Sequence, residues 1–157
     1  MIFYIFFIAL LVVALYCAIK ISITDFQRRI IPDAYLFPLM LIGLLFLVFF
    51  PFFPTQLPDG VIAATFGYIL TATIGAIYDY RLSKKNKNAP CPIGMGDIKL
   101  IGVGGLWLGT TGLSLTLIIS CIIGAIWAHK HKQKYIPFAP FFLLGGFLSF
   151  IITTFLL

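Results

Sequence analysis

The chain has 157 residues, 61% of them hydrophobic and 10% charged, with a mean hydropathy of +1.09 and a formal net charge of +6. A soluble domain of this size is nearer half apolar, so the excess needs lipid to cover it, which excludes a soluble globular enzyme. There is no room for a separate soluble domain, and the expectation is a single transmembrane domain over 1–157.

In chain order, the first apolar stretch covers about 2–21. It lacks a basic leader and outlasts the hydrophobic region of a signal peptide, so it reads as a mature span. Ala14 fits poorly three residues before Cys17, which argues against a lipoprotein cleavage site. A second helix is expected over about 34–50. The stretch "PFFPTQLPDG" (51–60) follows, with three prolines, as a loop. A third helix covers about 61–78, ahead of the polar loop "DYRLSKKNKNAPCPIG". From Ile98 to Ala128 only Lys99 is charged, too long a run for one ordinary span. "GTTG" (109–112) offers a turn in its middle, which splits the run into a fourth and a fifth helix. The sixth runs from about Pro137 to the C-terminus. The expected fold class is therefore all-α, a polytopic membrane protein with six transmembrane helices.

Charge supports the split. With six spans, Lys20, Arg28 and Arg29 fall on the same side as Arg81, Lys84, Lys85, Lys87 and Lys99, and as Lys130, Lys132 and Lys134. All eleven basic residues then share one side, and the other carries only Asp59. Basic loops stay cytoplasmic, so both termini are expected on the non-cytosolic side. An unsplit helix would place "HKHKQK" opposite "KKNK" and lose the asymmetry. The segment between Ile98 and Gly109 is short for a span, so its helix must begin within "GMGD" or the local membrane must adjust. Gly102, Gly104, Gly105 and Gly109 allow close helix packing there.

The chemistry must come from few groups. Cys17, Cys91 and Cys121 form no CxxC pair, and neither a zinc site nor a disulfide framework follows. His129 and His131 stand in a basic loop and read as solvated; no metal and no cofactor is expected. Nucleic-acid binding is excluded, because the charge is confined to short loops between spans, where it suits lipid headgroups. All five acids are Asp. Asp59 reads as an outer turn residue, and Asp33, after Pro32, as a cap for the second helix. Asp25, Asp79 and Asp97 each stand at the inner end of an apolar helix, where an ionisable group is costly and points to function.

Two carboxylates brought together share a proton. One can then deprotonate water while the other protonates a carbonyl oxygen, which is aspartic-protease chemistry. Gly94 and Gly96 precede Asp97 and carry no Cβ, so the chain can bend and another backbone can approach the carboxylate. A protease needs its substrate extended, because a helix hides its peptide bonds.

Three ordered segments carry a resemblance. "TDFQRRIIPDAYLFPLMLIGLL" (24–45) has an Asp, six residues, then Pro32 and Asp33 opening a helix. "GMGDIKLIGVGGLWLG" (94–109) has GxGD, then Lys99 and a Gly-rich helix, and "YIPFAPFFLLGG" (135–146) opens the last helix. In this order they resemble the signatures of the type IV prepilin peptidases, which are GxGD-type aspartic intramembrane proteases. The resemblance implies the GxGD aspartic protease fold and a catalytic pair at Asp25 and Asp97. Gly94, Gly96, Lys99 and Pro32 are then supporting motif residues. It implies a membrane-embedded endopeptidase that removes the leader of type IV prepilins or pseudopilins at the cytosolic face of the bacterial inner membrane. Many members add an N-terminal CxxC…CxxC zinc region and methylate the new N-terminus. This chain shows neither motif, so the peptidase-only form is expected. Ala139 replaces the second glycine of the last signature.

Two other readings follow from the same residues. "YD" (78–79) resembles the acid that pairs with GxGD in presenilin and signal peptide peptidases, although the flanks differ, and Asp79 reads first as a helix end beside Arg81. A small transporter or channel would instead use Asp25 and Asp97 as proton or cation sites.

Overall fold

The computed structural model describes residues 2–50, 53, 55–85, 93–132 and 136–156. Five helices appear among them: α1 (Ile2–Arg28), α2 (Asp33–Phe49), α3 (Leu57–Lys85), α4 (Met95–His131) and α5 (Phe138–Leu156). Four of these, α1, α3, α4 and α5, are long and apolar enough to cross a membrane. The 17 residues of α2 are apolar too, and span about 25 Å. Large apolar side chains face outward along the helices, among them Phe3, Phe66, Ile126 and Phe147. Such a surface is stable only against lipid.

Three helices are longer than the apolar runs that announce them. α1 continues to Arg28, so Asp25 lies within its last turn. α3 takes in Pro58, Asp59 and Gly60 at one end and Arg81 through Lys85 at the other. Proline is tolerated in a first turn, where its missing N–H has no helical partner, and Arg and Lys are good helix formers. The outer-turn reading of Asp59 is corrected by this: it stands in the first turn of α3. The loop reading of His129 and His131 is corrected likewise, since both lie in the last turn of α4. Residues 86–92 and 133–135, including Cys91, Lys87 and Lys134, fall outside the described residues.

The fourth and fifth expected helices lie within the single element α4, which is interrupted at Gly109. There φ is +67° and ψ is −175°, a backbone that only glycine adopts without strain. The chain doubles back at this point. Ile101 and Leu113 both touch the space beside Gly67, although twelve residues of straight helix would separate them by about 18 Å. A carboxylate secures the break: Asp59 accepts the Thr110 N–H (3.2 Å) and the Thr110 hydroxyl (2.6 Å). It therefore caps the second half of α4 from a neighbouring helix.

The two halves of α4 form the centre, packed most extensively on α3 and α5. At Gly105 an added Cβ would lie 2.5 Å from the Ala64 nitrogen, so here the α3 and α4 backbones touch directly. On α2, Trp107 fills the space beside Gly43 and donates its indole N–H to the Leu39 carbonyl at 3.1 Å. Its ring also meets Phe46 (centroids 5.4 Å apart), which stacks on Phe7 at 5.0 Å, so an aromatic cluster ties α1, α2 and α4. These contacts fix α1, α2 and α4 against one another near the ends remote from Asp25 and Asp97.

Candidate active site

Asp25 closes α1. The next turn ends the helix, with the Arg29 N–H bonded to the Asp25 carbonyl at 2.9 Å and Arg29 itself at φ +57°. This left-handed residue turns the chain out of the helix. The Asp25 side chain points inward and is only 4% exposed. A buried carboxylate requires hydrogen-bond donors. One is supplied by α5: the Ala139 backbone N–H donates to Asp25 Oδ2 at 2.8 Å. Ala139 is fully buried at this contact.

Asp97 belongs to the first turn of α4, three residues after Gly94, whose φ of −69° and ψ of 143° place it at the cap position. The Asp97 N–H is bonded to the Gly94 carbonyl at 3.1 Å. Its carboxyl folds back over Gly94, where an added Cβ would stand 3.2 Å from Oδ2. Asp97 is half-buried, and Asp25 lies within electrostatic reach of it. Two carboxyl groups from helices far apart in sequence thus sense each other's charge.

Other motif residues join the elements that carry these acids. At Gly96 an added Cβ would come 2.8 Å from Ile31 Cβ. The close approach at this glycine is therefore made by the chain's own link between α1 and α2. Gly94 and Gly96 both have negative φ, so no left-handed bend is involved. Lys99 pairs with Asp33, its Nζ lying 2.7 Å from Oδ2 and 2.9 Å from Oδ1. This corrects the capping role expected of Asp33. The cap position of α2 is Pro32, and no side chain caps that helix. As its first residue, Asp33 still suits the helix dipole while its oxygens face α4. Asp79 stands inside α3, six residues short of its end, so it does not end that helix.

Sequence reasoning missed Ile31 and the Ala139 N–H as site contacts. An apolar residue directly before a Pro-Asp helix start was the available signal for Ile31. Nothing in the sequence pairs residue 139 with residue 25.

A groove of about 640 Å³ runs between α2, α3 and the first half of α4. Leu36, Met40, Tyr68 and Val103 line it, and the Asp33–Lys99 pair stands at one end. Neither Asp25 nor Asp97 lines this groove, which pairs an apolar trough with one polar end.

Residues 5–129 match the type IV leader peptidase family. The chain belongs to this family. Among its relatives are three proteins named prepilin leader peptidase/N-methyltransferase. That of Aeromonas salmonicida (strain A449) is 29% identical over 140 residues, covering 85% of this chain and 45% of the relative. That of Neisseria gonorrhoeae is 30% identical over 135 residues (84% and 44%), and that of Pseudomonas putida 28% over 138 residues (83% and 45%). The chain therefore spans less than half the length of these relatives. No solved structure matches it. Both Asp25 and Asp97 fall inside the stretch that matches the leader peptidase family, whereas Ala139 lies beyond it.

Proposed function

We propose that this leader peptidase family member is a membrane-embedded aspartic endopeptidase that removes the leader from type IV prepilin or pseudopilin precursors. The observation that carries the reading is the meeting of the end of α1 and the start of α4, where Gly96, beside Asp97, packs on Ile31 in the link that follows Asp25. One carboxylate takes a proton from water, and the resulting hydroxide attacks the scissile carbonyl carbon. The other carboxyl gives its proton to the carbonyl oxygen. Collapse of the tetrahedral intermediate breaks the C–N bond, and the departing amine leaves with a proton from the dyad. Gly94 and Gly96 shape the approach to Asp97, while Lys99 and the Pro32–Asp33 helix start hold α4 against α2.

The reversal at Gly109 supports six crossings in a GxGD aspartic protease fold. With six, every basic residue collects on the cytosolic side together with both acids, and both termini lie on the far side of a bacterial inner membrane. An apolar substrate segment fits the trough between α2, α3 and the first half of α4.

Leader removal from a co-expressed prepilin tests this. Asp25→Asn and Asp97→Asn should each abolish processing, a loss of more than 1,000-fold, with normal expression and membrane insertion. Asp79→Asn should process normally. Normal processing by the first two variants would sink the dyad; loss in Asp79→Asn with survival in Asp25→Asn would move the pairing to α3.

A further inference from the structure

The bond between Asp25 and the start of α5 joins residues 114 apart in sequence. α5 begins at Phe138, so its first turn contains Phe138, Ala139, Pro140 and Phe141. The first N–H groups of a helix have no partner within it and present a partial positive charge. Proline has no N–H, so Pro140 contributes no donor to this turn. The donors of the turn are reduced to three, and two of them act on Asp25: the Ala139 N–H, 2.8 Å from Oδ2, and the Phe138 N–H. Pro137 and Ala139 are fully buried and Asp25 nearly so, which keeps water from replacing this donor.

We infer that the N-terminus of α5, through the Ala139 N–H, is the positioning group that fixes the orientation of the Asp25 carboxylate for catalysis. The inference rests on the aspartyl-dyad reading and extends it. Asp25 Oδ2 is held by the Ala139 N–H, with the Phe138 backbone of the same turn also acting on the carboxylate, so the carboxylate is oriented by the start of α5. The "PFAP" sequence acquires a purpose: Pro137 is packed at the entry, Ala139 is small enough for close contact with α1, and Pro140 removes a competing donor. α5 is also packed along the second half of α4, with Ser149 donating to the Gly112 carbonyl at 2.7 Å. The orientation of Asp25 is thereby referred to the same helix pair that carries Asp97.

The direct test deletes one hydrogen. In Ala139→Pro the N–H is lost at a first-turn position where proline is tolerated. Ala139→Gly keeps it and serves as the conservative control. Purified full-length protein in liposomes is assayed on a type IV prepilin precursor, beside Asp25→Asn and Asp97→Asn. The expected result is a kcat lowered at least 10-fold in Ala139→Pro, with KM within twofold of the parent. Ala139→Gly should restore kcat to within threefold. Should Ala139→Pro unfold at a clearly lower temperature, an amide-to-ester replacement at the 138–139 linkage removes the N–H alone, and its kcat decides. Parental kcat in the folded N–H-deleted protein, or a loss confined to KM, would overturn the inference while inactive Asp→Asn variants leave the dyad standing. Active Asp→Asn variants would remove the dyad itself.

Discussion

At the scale of single residues, the two motif glycines have separable roles. Gly96 lets Ile31 seat against α4, and an added Cβ 2.8 Å from Ile31 Cβ forces the link between α1 and α2 to move. Overpacking of this kind costs about 1–3 kcal/mol. Gly96→Ala should therefore lower the unfolding midpoint in detergent and depress activity with it. Gly94→Ala differs, because among the described residues its new methyl meets only the Asp97 carboxyl, at 3.2 Å. The carboxyl must shift by a few tenths of an ångström. Processing should fall several-fold with a melting temperature close to the parent, as read by parallel thermal and cleavage assays. Equal losses of stability in both variants would deny Gly94 its part at the carboxyl. The pair Lys99–Asp33 is more exposed, 42% and 64%, and ion pairs of this kind contribute at most about 1 kcal/mol. Its value lies in register between α2 and α4 more than in stability.

At the scale of elements, α4 illustrates how one acid organises a helix break. Gly109 supplies the positive φ, and Asp59 satisfies the N–H and hydroxyl of Thr110 while accepting a bond from the Thr55 hydroxyl at 3.1 Å. Loss of a helix cap costs about 1–2 kcal/mol. Asp59→Ala should lower the melting temperature by several degrees, and Asp59→Asn, which still accepts hydrogen bonds, should recover most of it. The sequence shows a turn at "GTTG", since Gly and Thr at that density break an apolar run. It does not show that the cap comes from α3, because Asp59 and Thr110 are brought together only when α3 packs along α4. For the same reason, the helix ends beyond the apolar runs are hard to read: Asp59 and Arg81 look like loop residues until their helices are seen to continue through them.

At the scale of the whole molecule, the reversal at Gly109 bears on topology. If the two halves of α4 cross separately, His131 and Lys84 emerge on one side and Gln56 on the other. Cysteines placed singly at these positions, after Cys17, Cys91 and Cys121 are replaced, test this with a membrane-impermeant thiol reagent. Lys84→Cys and His131→Cys should label only from the cytosolic face, and Gln56→Cys only from outside. Labelling of His131→Cys from outside would mean that α4 crosses once and that the start of α5, with Ala139, lies on the opposite side from both acids.

By itself the sequence determined the solvent and the chemistry available. Its hydropathy demands lipid, its run lengths demand helices, and its lack of Glu and of paired cysteines leaves Asp to act. The motif order around Asp25, Asp97 and Ala139 also carried the family resemblance. Those features are local, written in composition and spacing, and need no contact to be read. Only the tertiary structure decided what each acid touches. Asp33 meets Lys99 rather than a helix end, Asp59 crosses from α3 to cap α4, and Asp25 takes its donor from Ala139. A buried carboxylate binds the donors that packing brings to it, and packing joins residues that no sequence spacing relates.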